Sequence, residues 1–234
     1  SSDGLIWNSA QSLPWPPPQR YDCEQNVLLL SNGSYLLTTR SYNPPSCSKC
    51  GRSIALTSMS TWGGEDWPRN VLTVEVGEEA HQLYSQVTFA WHSVYLGIVM
   101  VFDTAEPTTQ GQVHARLTAS KDLVHWSWVD EGGLLGKDFI PLGQPGSFDS
   151  HIIFVAAHPL SMPDGTHRIY YMGGNGPHNG WRNTSFALAT LTQDHFAGIT
   201  STTQPNSSSF HIPLFISGPT LTITADVSSG GSVT

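Results

Sequence analysis

The strongest constraint on this chain is a repeat of about sixty residues. Units open at Asp22, Ser85 and Ser150, 63 and 65 residues apart. In the first, Val27-Leu28-Leu29-Leu30 leads through the turn Ser31-Asn32-Gly33-Ser34 into Tyr35-Leu36-Leu37-Thr38-Thr39-Arg40. An Asn-Gly pair between two apolar strands is a strong hairpin signal. A long loop, 41–52, ends in Ser53-Ile54-Ala55-Leu56-Thr57-Ser58, and Val71-Leu72-Thr73-Val74 supplies a fourth strand. The same order returns in the strands 83–89, 94–102, 113–120 and 126–129. It returns again from Phe148-Asp149-Ser150, through Ile152-Ile153-Phe154-Val155 and Arg168-Ile169-Tyr170-Tyr171-Met172, to the strand 185–191. Four strands per unit at this period predict an all-β chain built of β-propeller blades. Composition agrees: only 12% of residues are charged, while Gly (22) and Pro (16) supply turns.

The predicted blades span about 21–76, 83–130 and 148–200. Ser1-Ser2-Asp3-Gly4-Leu5-Ile6-Trp7 repeats the S-x-D-x-x-x-W pattern of Ser120-Lys121-Asp122-Leu123-Val124-His125-Trp126. Residues 1–7 are therefore expected to be the tail of a preceding blade, within a partial propeller over 1–203. Residues 204–234 read as a linker and one further strand, because 219–227 alternate apolar and polar residues. Three blades do not close a ring, so the chain is expected to be part of something larger, completed by further blades.

The formal charge of −8 argues against a nucleic-acid partner. No apolar run approaches the roughly 20 residues needed to span a bilayer. Ser1 to Gly4 lack the basic-then-apolar pattern of a signal peptide. Three sequons, at Asn32, Asn183 and Asn206, fall in predicted turns or loops and point to a secreted, extracellular glycoprotein. Of the three cysteines, Cys23 and the pair Cys47-Ser48-Lys49-Cys50 are predicted on one face of the propeller. A disulfide from Cys23 to Cys47 or to Cys50 is geometrically reasonable, and sequence does not choose between them. A zinc site would need a second pair of ligands.

In a propeller, the turns leading into the innermost strands and the loops joining second and third strands gather on one face. The candidate site residues fall there: Trp15, Asp22, Glu24, Arg40, His81, Asp103, Glu106, Asp149, His151, His178, Trp181 and Arg182. Glycosidic chemistry needs paired carboxylates, and Asp22 and Asp149 each open an innermost strand. The faces of Trp15 and Trp181 suit the apolar side of a sugar ring. Asp149 and His151, two apart, are expected on one side of their strand, facing the axis. The competing reading makes these acids turn residues and the tryptophans packing between blades.

The S-x-D-G-x-x-W tail, the Gly146-Ser147-Phe148-Asp149-Ser150 opening and the run Ile169-Tyr170-Tyr171-Met172-Gly173-Gly174-Asn175-Gly176 resemble the five-bladed β-propeller glycosidases. That superfamily includes invertases, fructanases and arabinanases. The resemblance covers roughly residues 1–200 and implies that 204–234 begin a C-terminal β-sandwich. It implies three axial carboxylates, one from each of the first three blades. With two blades preceding this chain, Asp22 would take the place of the general acid. Asp22-Cys23 stands where invertase-like members carry Glu-Cys, and the other two carboxylates would lie upstream. No cofactor is required. A cation near the axis is implied by arabinanase-like relatives, with His151 as a candidate calcium ligand, although calcium prefers oxygen. The expected activity is glycoside hydrolysis, and the expected partner is a glycan. The alternative is a non-catalytic carbohydrate-binding or structural glycoprotein on the same fold.

Overall fold

A computed structural model describes residues 25–42, 51–59, 80–104 and 111–199, together with 218, 223–225 and 227. The predicted strand at 71–74 and the cysteines Cys23, Cys47 and Cys50 lie outside the described residues, as do Trp15, Asp22, Glu24, Glu106 and Asn206. The described residues are all-β apart from one short 3-10 turn, Gly133–Leu135.

β1 (Asn26–Leu29), β2 (Tyr35–Tyr42) and β3 (Arg52–Met59) form an antiparallel three-stranded sheet, the first blade. Its first hairpin closes where the Asn-Gly pair predicts. Gly33 takes φ 84°, a conformation open to glycine at no steric cost. Its N–H donates to the Leu30 carbonyl, while Asn32 Oδ1 accepts from Ser34 N–H at 3.0 Å.

The second blade is β4 (His81–Trp91), β5 (Val94–Asp103), β6 (Val113–Ser120) and β7 (Trp126–Trp128), each antiparallel to the next. The third is β8 (Ile152–Val155), β10 (Thr166–Gly174) and β11 (Thr184–Thr192), with the two-residue β9 (Leu160–Ser161) also on β10. These two blades are joined into one sheet by a single parallel pairing, Val113 with Ile152, where Val113 N–H donates to the His151 carbonyl at 2.9 Å. The chain is thus a partial β-propeller.

The alternation of each strand builds two interfaces. Leu36, Ile54, Leu56, Leu83, Val99, Val101 and Trp126 pack between the first and second blades. Tyr84, Ile98, Phe102, Val113, Ile152, Phe154 and Ile169 belong to the larger core between the second and third. Each of these side chains, once buried, contributes about 1.5–3 kcal/mol of transfer free energy. The first interface also carries a polar row: Thr38 Oγ1 meets Thr88 Oγ1 at 3.2 Å, Gln86 Nε2 donates to Thr88 Oγ1 at 3.0 Å, and Thr118 Oγ1 donates to the Gly97 carbonyl at 3.0 Å. Gly97 sits against this row because a Cβ there would lie 2.6 Å from Thr118 Oγ1.

The S-x-D-x-x-x-W pattern is a turn that finishes the second blade. Ser120 Oγ accepts the amides of Asp122 and Leu123, and Asp122 Oδ1 accepts those of Val124 and His125. Trp126 then folds into the core and donates from Nε1 to the Leu123 carbonyl at 3.2 Å. Bonds from the His125 side chain and then the His125 and Val124 amides hold the Asp122 carboxyl well below the usual carboxylate range.

Candidate active site where three blades meet

The loops β2–β3, β5–β6 and β10–β11 run from the ends of second strands, and their described parts converge. A β-bulge in β4 starts the arrangement: Leu83 pairs with Val101 and Ser85 with Met100, so Tyr84 is the extra residue. A bulge re-aims a side chain that strict alternation would place elsewhere. Leu83 consequently packs toward the first blade and Tyr84 toward the third.

Around the Tyr84 ring sit groups from all three blades. The Arg40 guanidinium carbon lies 4.2 Å from its centroid, and that of Arg52 lies 5.2 Å from it and 5.0 Å from the Phe102 ring. Cation–π contacts of this kind favour the charged form over aromatic faces. Arg52 Nη1 donates to Gln82 Oε1 at 2.7 Å, tying β3 to β4. From the β10–β11 loop, the His178 ring packs edgewise on Tyr84 at 4.9 Å and on Phe102 at 5.0 Å. The backbone N–H of His178 donates to the Gly111 carbonyl at 2.7 Å, linking that loop to the β5–β6 loop. Gly111 has φ 85° and a Cβ there would lie 2.7 Å from Pro177 Cβ, so only glycine permits the crossing.

Arg182 is held by its Nη1, which donates to the carbonyls of His178 at 2.7 Å and Gly180 at 3.4 Å. Its Nε is buried without a hydrogen-bond partner among the described residues, as are His178 Nδ1 and His81 Nδ1. Burial lowers the His178 pKa, and Arg182, Arg52 and Arg40 add to the effect, so the imidazole is neutral at pH 7. His81 and Asp103 are cross-strand partners at the end of β4 and β5, with Nε2 and Oδ2 3.8 Å apart. Of the predicted residues, Arg40, His81, Asp103, His178 and Arg182 are thus at the loop end of the blades. Trp181 is next to Arg182 and 83% exposed.

Asp149 and His151 differ from expectation. Strand β8 begins at Ile152, so both residues lie in the preceding turn, and strand alternation does not put them on one face. The turn is closed by Ser147 N–H to the Gln144 carbonyl and Ser150 N–H to the Ser147 carbonyl. Asp149 is buried, accepting from Ser147 Oγ at 2.9 Å on Oδ1 and from Tyr171 Oη at 2.8 Å on Oδ2. Burial and the neighbouring carboxylate push the Tyr171 pKa up to about 12, so the phenol remains the donor. Both oxygens of Asp149 therefore anchor its turn to β10. His151 Nδ1 contacts Ser150 Oγ at 3.0 Å. Among the described residues no group of three or more His, Cys, Asp or Glu gathers to hold a metal.

The sequence reading missed Tyr84, Phe102 and Arg52. Phe102 is an ordinary apolar strand residue by pattern, and Arg52 stands at the end of a loop with no motif around it. Tyr84 carried a signal only in its aromatic size within an otherwise regular strand.

No protein-family profile and no curated protein sequence matches the chain. Solved structures do. An N-acetylgalactosamine deacetylase from F. plautii, in complex with blood group B trisaccharide, aligns with a TM-score of 0.52 at 17% identity, over 77% of this chain and 52% of that one. Zg3597, a family 117 glycoside hydrolase from Zobellia galactanivorans, aligns at 0.52 and 14% identity, over 76% and 53%. A glycosyl hydrolase from Bacteroides ovatus aligns at 0.50 and 17%, over 74% and 48%. The chain spans about half the length of these structures and shares its fold with glycoside hydrolases. At this identity the likeness concerns fold, and fold does not fix chemistry.

Proposed function

We propose that this chain is part of a secreted glycoside hydrolase-like protein that acts on glycans at the loop end of a five-bladed propeller. The observation that carries the reading is the convergence of polar and aromatic groups from three successive blades around Tyr84, with an exposed tryptophan, Trp181, in the β10–β11 loop that supplies His178. Aromatic faces stack on sugar rings, and fixed polar groups orient hydroxyls. The general acid in this reading is Asp22, with its partner carboxylates supplied by other blades of the same protein. Asp149, with both oxygens engaged, serves the turn. Secretion is inferred from the sequons; Asn32 and Asn183 are both exposed. Among the described residues no helix is long and apolar enough to cross a membrane.

The test uses the complete protein on a panel of oligosaccharides, measuring new reducing ends and binding in parallel. Turnover that Asp22→Asn lowers by about 10²-fold or more supports the hydrolase. Binding without turnover moves the protein to the carbohydrate-binding alternative, which the same loop end would serve. The absence of both binding and turnover overturns the reading.

A further inference from the structure

The chain carries 18 Asp and Glu against 10 Lys and Arg, yet three of its seven arginines meet at one end of neighbouring blades. Arg40 and Arg52 lie over the Tyr84 ring, against which His178 packs, and Arg182 donates to the His178 backbone carbonyl. The His178 pKa is lowered by burial first and then by all three arginines, which places them around one imidazole. At Arg182, Nη1 is occupied by two loop carbonyls, which fix the guanidinium, and among the described residues no carboxylate pairs with it. The partner that best fits a fixed guanidinium without a carboxylate is a planar or tetrahedral oxyanion. Trp181 is exposed one residue away, offering a ring face beside the charge.

We propose that this end of the propeller selects glycans bearing an acidic group, a carboxylate or a sulfate, with Arg182 as the oxyanion-binding residue and Trp181 as the platform for the attached ring. This rests on the glycan-acting reading above and names its substrate class. The backbone carbonyl of His178 orients Arg182.

Binding of the complete protein to three trisaccharides tests this: one of galacturonate, one of sulfated galactose and one of neutral galactose. The acidic sugars are expected to bind ten- to a hundredfold more tightly than the neutral one, the range of one charge-assisted contact. Preference for galacturonate or for sulfated galactose identifies which oxyanion the site takes. Arg182→Gln should weaken binding of the acidic sugars at least tenfold and so erase most of the preference. If that variant does not fold, the wild-type protein still decides, because acidic binding should weaken on going to about 0.5 M salt while neutral binding does not. Equal affinity for acidic and neutral sugars overturns this inference and leaves the glycan reading standing. Failure of all three, together with failure on the wider oligosaccharide panel, overturns both.

Discussion

Tyr171 and Asp149 make the contact by which the turn before β8 is fastened to β10, and its energetics are open to direct measurement. Tyr171→Phe removes the donor and leaves Asp149 Oδ2 buried without it. The expected loss of stability is about 1–3 kcal/mol in a denaturant titration. The raised phenol pKa gives the sign at alkaline pH. The neutral phenol's contribution is fully present below the ordinary value of 10.0 and is lost as pH rises through about 12. Tyr171→Phe should flatten that alkaline limb. His178 behaves oppositely. Its pKa lies below the usual 6.5, so its contribution is present above that value and lost as pH falls through the folded value. Denaturation midpoints at neutral and mildly acid pH should converge in His178→Gln; an unchanged difference would assign the acid sensitivity elsewhere.

Strands were the legible elements, because a period of two is written directly into apolar and polar residues. β6 spans Val113–Ser120 as predicted, and β2, β5 and β10 differ from expectation by one or two residues at their ends. The S-x-D-x-x-x-W pattern was legible as a repeat, and its cause is the set of side chain-to-amide bonds from Ser120 and Asp122. What escaped was what strands do to one another. The extra residue at Tyr84 has no local signature, since a bulge is fixed by the partner strand's register. The turn around Asp149 is hard to separate from the strand that follows, because its polar residues run directly into the unbroken apolar run of β8. β9 is too short to carry a period. Gly97 illustrates the same point in the other direction, for its need arises from Thr118 on the next strand. Gly97→Ala should cost about 1–3 kcal/mol through overpacking, with secondary structure retained. A neutral effect in thermal and chemical melts would mean that Thr118 and Gln86 move aside freely.

At the scale of the whole molecule, the outer face of the third blade is apolar and uncovered, with Phe186 at 87%, Leu188 at 46% and Tyr170 at 45% exposure. Faces of that kind associate in water. Residues 1–234 expressed alone should therefore self-associate, and Phe186→Ser with Leu188→Thr should reduce this in light scattering without altering circular dichroism; a monodisperse wild-type monomer would refute the expectation. Glycans are expected at Asn32 and Asn183 in material from a eukaryotic secretory source, read as a mass loss after an N-glycan amidase. No loss would remove the main support for secretion. One more consequence follows from the way the blades are joined. The second and third share backbone hydrogen bonds through Val113 and Ile152, whereas the described parts of the first form a separate sheet that meets the second through side chains. Mechanically, that makes the molecule a stiff pair with a softer seam beside it. A pulling force applied across the arc should part the first blade from the second before the shared sheet yields, and Arg40 and Arg52, both on the first blade, would be carried away from the Tyr84 ring together.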